Sequence, residues 1–195
     1  RKVSQTRNLI RYLMRHKHTS PFEMCEVKFH IKLPIFVMRQ LVRHRTANLN
    51  EYSGRYSVMS DDFYFPKGEE LKPQSTTNKQ GREDGELSNP GEIEFEMFRI
   101  FDGAKTAYHN LLDWDLSREL ARLVLPVANY TEVIWKIDLN NFFKFYHLRG
   151  DSHAQEEIQQ FANAMWELIE PKFPICCEAF TDYVLNAKTF SEKEM

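Results

Sequence analysis

The sequence predicts an α+β fold in which a small antiparallel sheet is flanked by helices. Three observations support this prediction. Residues 25–33 alternate between apolar and polar or charged side chains, which is typical of a strand with one solvated face and therefore of an antiparallel sheet. Residues 130–139 are rich in Thr, Val, Ile and Trp, which favours a second strand. Residues 4–18 carry apolar side chains at helical spacing, so we expect a helix there.

The N-terminal half contains further signals for the ends of helices and strands. Ser4 is the expected N-cap of the first helix, and Thr19-Ser20-Pro21 should end it. Pro34 suits the first turn of a helix over residues 35–43, whose apolar composition predicts burial. An additional strand is expected within residues 56–65.

The rest of the chain is predicted to be mainly helical after one long loop. Residues 66–91 are rich in Lys, Glu, Gly, Pro, Ser and Asn, and we expect a long mobile loop there. Asn89-Pro90 should open a helix that runs to about Leu112, and Asp115 should cap another that runs through Leu125. The last predicted helices cover residues 140–149, 152–170 and 175–185.

Length and composition fit one soluble globular domain over residues 1–195. The net charge of −2 gives no global attraction to nucleic acid or to an anionic membrane, so local arginines must build any anion site. The three cysteines do not suggest a disulfide framework, which favours a reducing, cytoplasmic location. The sequence contains no apolar run of membrane-spanning length and no signal peptide. Because the chain begins with Arg1, we expect its natural start to lie upstream.

The densest group of functional side chains lies in residues 43–57, RHRTANLNEYSGRYS, directly after the apolar helix. The seven glycines of the chain form no Gly-rich phosphate-binding motif, so side chains must hold any phosphate. Like charges at the end of a buried helix repel each other unless an anion or a carboxylate is present. Alternatively, part of Arg43-His44-Arg45 compensates the helix dipole.

This segment resembles the signature R-H-R-x(7)-S of the flavin-dependent thymidylate synthases (the ThyX family). Seven residues separate Arg45 from Ser53, as in the signature, whereas Asn48 stands where the longer form of the motif usually has Ser. Further segments of the chain resemble the family as well: residues 12–16, 18–23, 34–40, 121–126 and 148–155. The resemblance implies a ThyX-like fold, with the opening strand of the family upstream of Arg1.

The resemblance also implies which residues contact the ligands. The substrate would be dUMP, and its phosphate would meet Ser53, Gly54 and Arg55. The implied dUMP-binding residues are Gln40, Arg43, Glu51, Tyr52, Ser53, Gly54, Arg55, Arg122 and Arg149. The implied FAD-binding residues are Ser20, Arg43, His44, Arg45, Glu51, Asp138, Asn140 and Lys144.

The reaction that the resemblance implies is the reductive methylation of dUMP to dTMP. The one-carbon donor would be 5,10-methylenetetrahydrofolate, and NADPH would reduce the FAD. Arg149 is the expected catalytic residue, because a guanidinium beside the pyrimidine stabilises negative charge on the ring. A cysteine nucleophile is not expected, since no cysteine of the chain is followed by His. The family forms homotetramers with shared active sites, and Arg122 would reach in from a neighbouring subunit.

Three other functions remain open at this point. A regulator that binds nucleotides without catalysis would keep the arginines but need no flavin. A nucleic-acid-binding module is disfavoured by the net acidity. A metal-dependent nucleotide hydrolase would need ligands from His16-x-His18 or Asp151-x-His153, but neither spacing makes a site by itself, so we expect no metal site.

Overall fold

The computed structural model describes residues 3–195 and confirms the α+β class, with a small antiparallel sheet among helices. The α-helices of the described range are α1 Val3–Arg15, α2 Ser20–Glu23, α3 Ile35–Leu41, α4 Pro90–Asp113, α5 Arg118–Ala121, α6 Leu139–Arg149, α7 Glu156–Ile169 and α8 Pro174–Phe180. The strands are β1 Glu26–Pro34, β2 Asn48–Glu51 and β3 Tyr130–Asp138. Short 3-10 turns occur at Gly68–Glu70 and Arg122–Val124, and a π-helical turn at Thr181–Leu185 follows α8.

The sheet has the order β1-β3-β2, so β3 is its central strand. The predicted alternation of β1 is confirmed, because Phe29, Ile31 and Leu33 are buried while the polar residues between them are exposed. The Phe29 ring lies 6.3 Å from the ring of Trp135 on β3. The apolar face of β1 therefore contributes to the hydrophobic core.

The strand predicted within residues 56–65 is wrong, because the third strand lies earlier, at Asn48–Glu51 inside the arginine-rich segment. Residues 56–65 contribute only an isolated antiparallel bridge between Phe63 and Asn129. The chain turns just after β2, since the backbone N–H groups of Tyr56 and Ser57 both donate to the Ser53 carbonyl. This turn leads into backbone that lacks the regular pairing of a strand.

Two predicted caps are also wrong. Ser4 lies inside α1, which already includes Val3. Asp115 adopts a left-handed conformation with φ of 58°, and α5 begins only after Ser117 as its N-cap. The predicted helix to Leu125 is therefore a short α-helix continued by a 3-10 turn.

The segment before α4 is irregular, as predicted, but it contains local structure. Gln74 and Arg82 form an antiparallel bridge, and the Gln74 side chain donates to the carbonyl oxygens of Lys79 and Gly81. Helix α4 then begins at Pro90, close to the predicted start. The mobility of this segment stays a prediction.

The described chain forms two compact units. The terminal unit contains the residues as far as Val27 and Lys136–Met195, and the central unit contains Lys28–Trp135. In the terminal unit, α1 packs against α8 and α6 packs against α7. Its core is aromatic: Phe142, Phe143 and Phe145 are buried, and the Phe143 ring stacks on the Phe180 ring, with 4.4 Å between their centres.

The central unit contains most of the sheet and helices α3, α4 and α5. Tyr108 on α4 and Ala121 on α5 are almost fully buried and pack with Met59. No helix within residues 3–195 has the length and apolarity needed to cross a membrane.

Candidate functional site

The arginine-rich segment joins the end of α3 to β2 through a tight turn in the central unit. The N–H groups of Arg43 and His44 donate to the carbonyl oxygens of Gln40 and Leu41, which ends the helix. Val37 and Leu41 anchor α3 in the core, while Arg39 on α3 and Arg43, two residues beyond its end, are exposed. Burial of the apolar face of α3 thus fixes where the arginines stand.

Three of these arginines line one open depression of about 700 Å³, together with Val42. Arg39 belongs to α3, and Arg43 and Arg45 follow beyond its end. Among the residues that the structure describes, none pairs with the guanidinium groups of Arg39, Arg43 and Arg45. Three uncompensated positive charges on one concave surface favour the binding of an anion.

A second cavity of about 250 Å³ lies in the same unit and brings together much of the predicted nucleotide site. Its lining residues are Ile35, Glu51, Tyr52, Ser53, Gly54, Met59, Arg122 and Leu125. The predicted residues Glu51 to Gly54 and Arg122 are thus adjacent in space, although Arg122 is distant in sequence. The residues lining the two concavities include neither Gln40 nor His44.

Gly54 leaves room for two side chains that pack against the backbone at the wall of this cavity. A Cβ atom on residue 54 would lie 2.5 Å from Met59 Sδ and 3.4 Å from Arg122 Cδ. Met59 is held in turn, because its backbone N–H donates to the buried Tyr108 hydroxyl at 3.0 Å. The absence of a side chain at Gly54 therefore allows Met59 and Arg122 to approach the backbone.

The carboxylate of Glu51 and the hydroxyl of Ser53 are both oriented by hydrogen bonds. Glu51 Oε1 accepts a hydrogen bond of 2.9 Å from Thr131 Oγ1 on β3. Ser53 Oγ accepts from the Arg55 backbone N–H at 3.3 Å. The backbone of Tyr52 donates to the carbonyl of Glu132 at 2.8 Å, which fixes this end of β2 to β3.

Arg55 and Arg122 both contact Glu119 on α5. Arg55 Nε lies 3.4 Å from the Glu119 carboxylate, and the Arg55 guanidinium also lies 5.8 Å from the centre of the Tyr56 ring. Arg122 Nε donates to the Glu119 carbonyl oxygen at 3.4 Å. Arg55 is therefore paired with a carboxylate and does not line the cavity, whereas Arg122 does.

The terminal unit contains the other predicted flavin contacts around the start of α6. Asp138 is the N-cap of α6 and accepts hydrogen bonds from the backbone and side chain of Asn141. Asn140 Nδ2 donates to Glu23 Oε1 at 3.4 Å. Glu23 belongs to α2, which starts at Ser20 and packs against α6. Ser20 therefore belongs to a helix that packs against α6, where Asp138 is the N-cap and Asn140 and Lys144 follow.

Arg149, the predicted catalytic residue, is the last residue of α6 and is half-buried. Burial lowers the pKa of its guanidinium, but arginine stays protonated in proteins, so the charge is retained in a less polar environment. Gly150 follows it, and a Cβ there would lie 2.9 Å from the Tyr146 carbonyl oxygen. The end of α6 therefore requires glycine next to Arg149.

Two cysteines are partly or fully buried, and two histidines have local partners. Burial raises the pKa of the Cys176 thiol to about 11 and that of Cys177 to about 12. The His153 ring lies 2.8 Å from Asp151, and the His16 ring packs 4.4 Å from Tyr12. Across residues 3–195, no group of three His, Cys, Asp or Glu side chains could hold a metal ion.

Sequence reasoning did not assign Arg39 or Met59 to these concavities, although both line them. Arg39 could have been found, because in the helix predicted over residues 35–43 its spacing of four from Arg43 would place both on one face. Met59 lines the cavity, whereas Tyr108 and Thr131 only form hydrogen bonds with the lining residues Met59 and Glu51. No local sequence signal marks these tertiary contacts.

The fold and these concavities define an α+β protein with arginine-lined surfaces suited to anionic ligands. Comparison with solved structures agrees: the chain is similar to a UMP/dUMP methylase, PolB from Streptomyces cacaoi, bound with 5-Br dUMP. The TM-score is 0.85 at 34% identity, over 94% of this chain and 82% of that one. A second structure of PolB, bound with 5-Br UMP, gives the same TM-score at 35% identity, over 93% of this chain and 85% of that one.

The family model for the thymidylate synthase complementing protein matches residues 1–175. The flavin-dependent thymidylate synthase of Dictyostelium discoideum is 50% identical over all of this chain, which covers 64% of that protein. The enzyme of the same name from Wolbachia pipientis is 46% identical over 98% of this chain, which covers 68% of that protein. The one from Treponema denticola is 45% identical over 99% of this chain, which covers 73% of that protein. The chain therefore belongs to the flavin-dependent thymidylate synthase family, and it spans about two thirds of the length of the relatives that it matches.

Proposed function

We propose that this protein is a flavin-dependent thymidylate synthase that methylates dUMP to dTMP. The observation that carries the proposal is the cavity that gathers Glu51 to Gly54 with Arg122. The names of the relatives, and the brominated uracil nucleotides bound to PolB, support the same substrate class. Hydroxyl, backbone N–H and guanidinium groups together suit a nucleotide phosphate.

The nucleotide would be held by Ser53, Gly54 and Arg122 in this cavity, with Gln40, Arg43, Tyr52 and Arg55 as further proposed contacts. A volume of about 250 Å³ is below the range of roughly 300–1,000 Å³ usual for small-molecule pockets. The central unit alone therefore offers part of a nucleotide site. We propose that further groups come from other subunits, in a homotetramer whose active sites are shared.

The residues at the depression fit the diphosphate of FAD, because Arg39, Arg43 and Arg45 present charges that no described carboxylate compensates. We propose that Ser20, Arg43, His44, Arg45, Glu51, Asp138, Asn140 and Lys144 hold the flavin. When bound, FAD would supply the redox chemistry, with NADPH as the reductant and 5,10-methylenetetrahydrofolate as the one-carbon donor. The protein supplies orientation and charge.

Arg149 would act on the pyrimidine by electrostatic stabilisation. Carbon–carbon bond formation at C5 needs an electron-rich ring, and a nearby positive charge stabilises the negative charge that develops at the N3/O4 edge. The partial burial of Arg149, which lowers its pKa, also strengthens its interaction with a charged partner. No proton leaves the guanidinium in this role.

We further propose that no cysteine acts as a nucleophile. The reactive form of cysteine is the thiolate, and pKa values of about 11 and 12 keep Cys176 and Cys177 protonated at neutral pH. The Cys25 thiol lies 3.8 Å from the Pro21 carbonyl oxygen, to which it donates. These environments favour structural roles for the thiols.

The decisive test supplies dUMP, methylenetetrahydrofolate and NADPH anaerobically, with and without FAD, and measures dTMP. We expect dTMP only with FAD, from a protein whose absorbance spectrum shows bound flavin. Binding of dUMP without flavin and without dTMP would instead identify a nucleotide-binding regulator.

The most informative variant is Arg149→Ala. We expect it to reduce dTMP formation by at least about 100-fold, because it removes the electrostatic stabilisation of the negative charge on the pyrimidine ring. The thermal unfolding midpoint should change little. Arg15→Ala is the matched control, since Arg15 also stands in the last turn of a helix of the terminal unit. Normal turnover by Arg149→Ala would remove Arg149 from the mechanism.

A further inference from the structure

The central strand carries one polar residue on an otherwise apolar face. Residues 131, 133, 135 and 137 alternate with their neighbours and share the buried face of β3. Val133, Trp135 and Ile137 are each 1% exposed, and Thr131 is 2% exposed. A buried hydroxyl is unfavourable unless it forms a hydrogen bond, so the presence of Thr131 in this row needs a physical reason.

The reason is a hydrogen bond to the predicted ligand site. Thr131 Oγ1 donates to Glu51 Oε1 at 2.9 Å, across the pairing of β3 with β2. Glu51 is the last residue of β2 and lines the cavity with Ser53 and Gly54. The buried end of the bond is rigid, because Thr131 is β-branched and lies in the central strand.

This bond restricts a side chain that would otherwise be free to rotate. Glu51 is exposed, and its side chain has three rotatable bonds. The backbone next to it is already fixed, since the Tyr52 N–H donates to the Glu132 carbonyl at 2.8 Å. Within residues 3–195, no described group donates to Glu51 Oε2, so this oxygen can accept a hydrogen bond from a ligand.

We infer that Thr131 is a positioning residue for the nucleotide: its hydroxyl holds the Glu51 carboxylate so that Oε2 accepts from a hydroxyl or N–H group of the ligand. The inference rests on the proposed function, because it takes the occupant of the cavity to be dUMP. Thr131 itself does not line the cavity and acts through Glu51. Preorganisation of this kind raises affinity because less side-chain freedom is lost on binding.

The test measures the dissociation constant of dUMP by calorimetry on the flavin-loaded full chain. Thr131→Val keeps the shape of the side chain and removes the hydroxyl, and we expect the dissociation constant to rise about fivefold to tenfold. Thr131→Ser restores the hydroxyl and should bind dUMP within about twofold of the wild type. Thr131→Ala is a second variant without the hydroxyl, should Thr131→Val fold poorly.

A double-mutant cycle separates positioning from general stability. In a Glu51→Ala background, Thr131→Val should change the dissociation constant less than about twofold, because the group it positions is gone. Ser60→Ala is the matched control: it removes a hydroxyl–carboxylate bond of 2.9 Å to Asp62 in the same unit, outside the cavity of Glu51.

The outcomes are distinguishable. If the wild type binds dUMP and Thr131→Val binds it equally well, the inference fails and the proposed function stands. An equal loss in the Glu51→Ala background also overturns it, because Thr131 would then act independently of Glu51. If the wild type does not bind dUMP, the proposed function fails and the inference fails with it.

Discussion

Two groups of arginines in this protein differ in what surrounds them. In the terminal unit, Arg7 and Arg11 on α1 both form salt bridges with Glu178 on α8, and Arg11 also pairs with Asp182 at 2.7 Å. In the central unit, the arginines of the depression, Arg39, Arg43 and Arg45, have no carboxylate partner among the described residues.

The two groups separate arginines that join two elements from arginines whose charge is left for a ligand; Arg55, which pairs with Glu119 beside the cavity, belongs to neither group. Paired arginines hold two elements together: Arg11 also donates to the Tyr183 hydroxyl at 3.2 Å, so three acceptors surround one guanidinium. The arginines of the depression instead repel one another, which costs free energy until an anion arrives. Compensation of the helix dipole can account for Arg43 near the end of α3, but not for three arginines on one concave surface.

The largest expected effect is on flavin binding. Arg45→Ala should raise the dissociation constant of FAD about 10- to 100-fold, because a hydrogen bond between charged groups contributes roughly 1.5–3 kcal/mol. Fluorescence titration of the apoprotein with FAD measures the change.

Arg99→Ala is the matched control in the same unit, since Arg99 pairs with Glu96 at 2.6 Å on α4 and is not at the depression. Equal FAD affinity in Arg45→Ala and the wild type would contradict the claim that the unpaired arginines of the depression serve the ligand.

An intermediate effect is expected on stability. Arg11→Ala should lower the thermal unfolding midpoint by a few degrees, because α1 loses its contacts with Glu178, Asp182 and Tyr183. The dissociation constant of FAD should stay within about twofold of the wild type, which is below 0.5 kcal/mol. Scanning calorimetry and the same titration test both parts.

Arg15→Ala, on the same helix, should leave the midpoint unchanged, because the structure shows no described partner for its side chain. A large loss of flavin affinity in Arg11→Ala would show that the paired arginines also serve the ligand.

The smallest expected effect is on the pH dependence of stability. It concerns Asp61, a carboxylate of the central unit that is paired with cationic side chains. Burial opposes the ionisation of Asp61, but hydrogen bonds from His109 at 2.7 Å and from Lys105 at 3.3 Å outweigh it and lower its pKa below the usual 3.8. A lowered pKa adds stability that is present above about pH 4 and is lost as the pH falls through the folded-state value.

Because Asp61 is 43% exposed, solvent screening limits its contribution to about 1 kcal/mol or less. Denaturant unfolding of the wild type and of Asp61→Asn between pH 3 and pH 7 measures it. The difference between the two proteins should shrink below about pH 4, and a constant difference would contradict the assignment.

Several elements followed directly from the sequence. The alternation over residues 25–33 gave β1, and the Asn89-Pro90 signal gave the start of α4 within one residue. These elements are long and strongly periodic, so local preferences and burial agree. The short strand Asn48–Glu51 was missed, because its four residues are all exposed and only pairing with β3 makes them a strand.

The amino-acid sequence alone predicted the α+β class, the family and a set of candidate residues for an anionic nucleotide and a flavin, because spacing and side-chain chemistry are local properties. Which of these residues meet depends on the tertiary structure. It placed Arg122 beside Gly54, paired Arg55 with Glu119 and brought the Thr131 hydroxyl to Glu51. Such contacts depend on strand pairing and core packing between residues far apart in the chain, which no local pattern encodes.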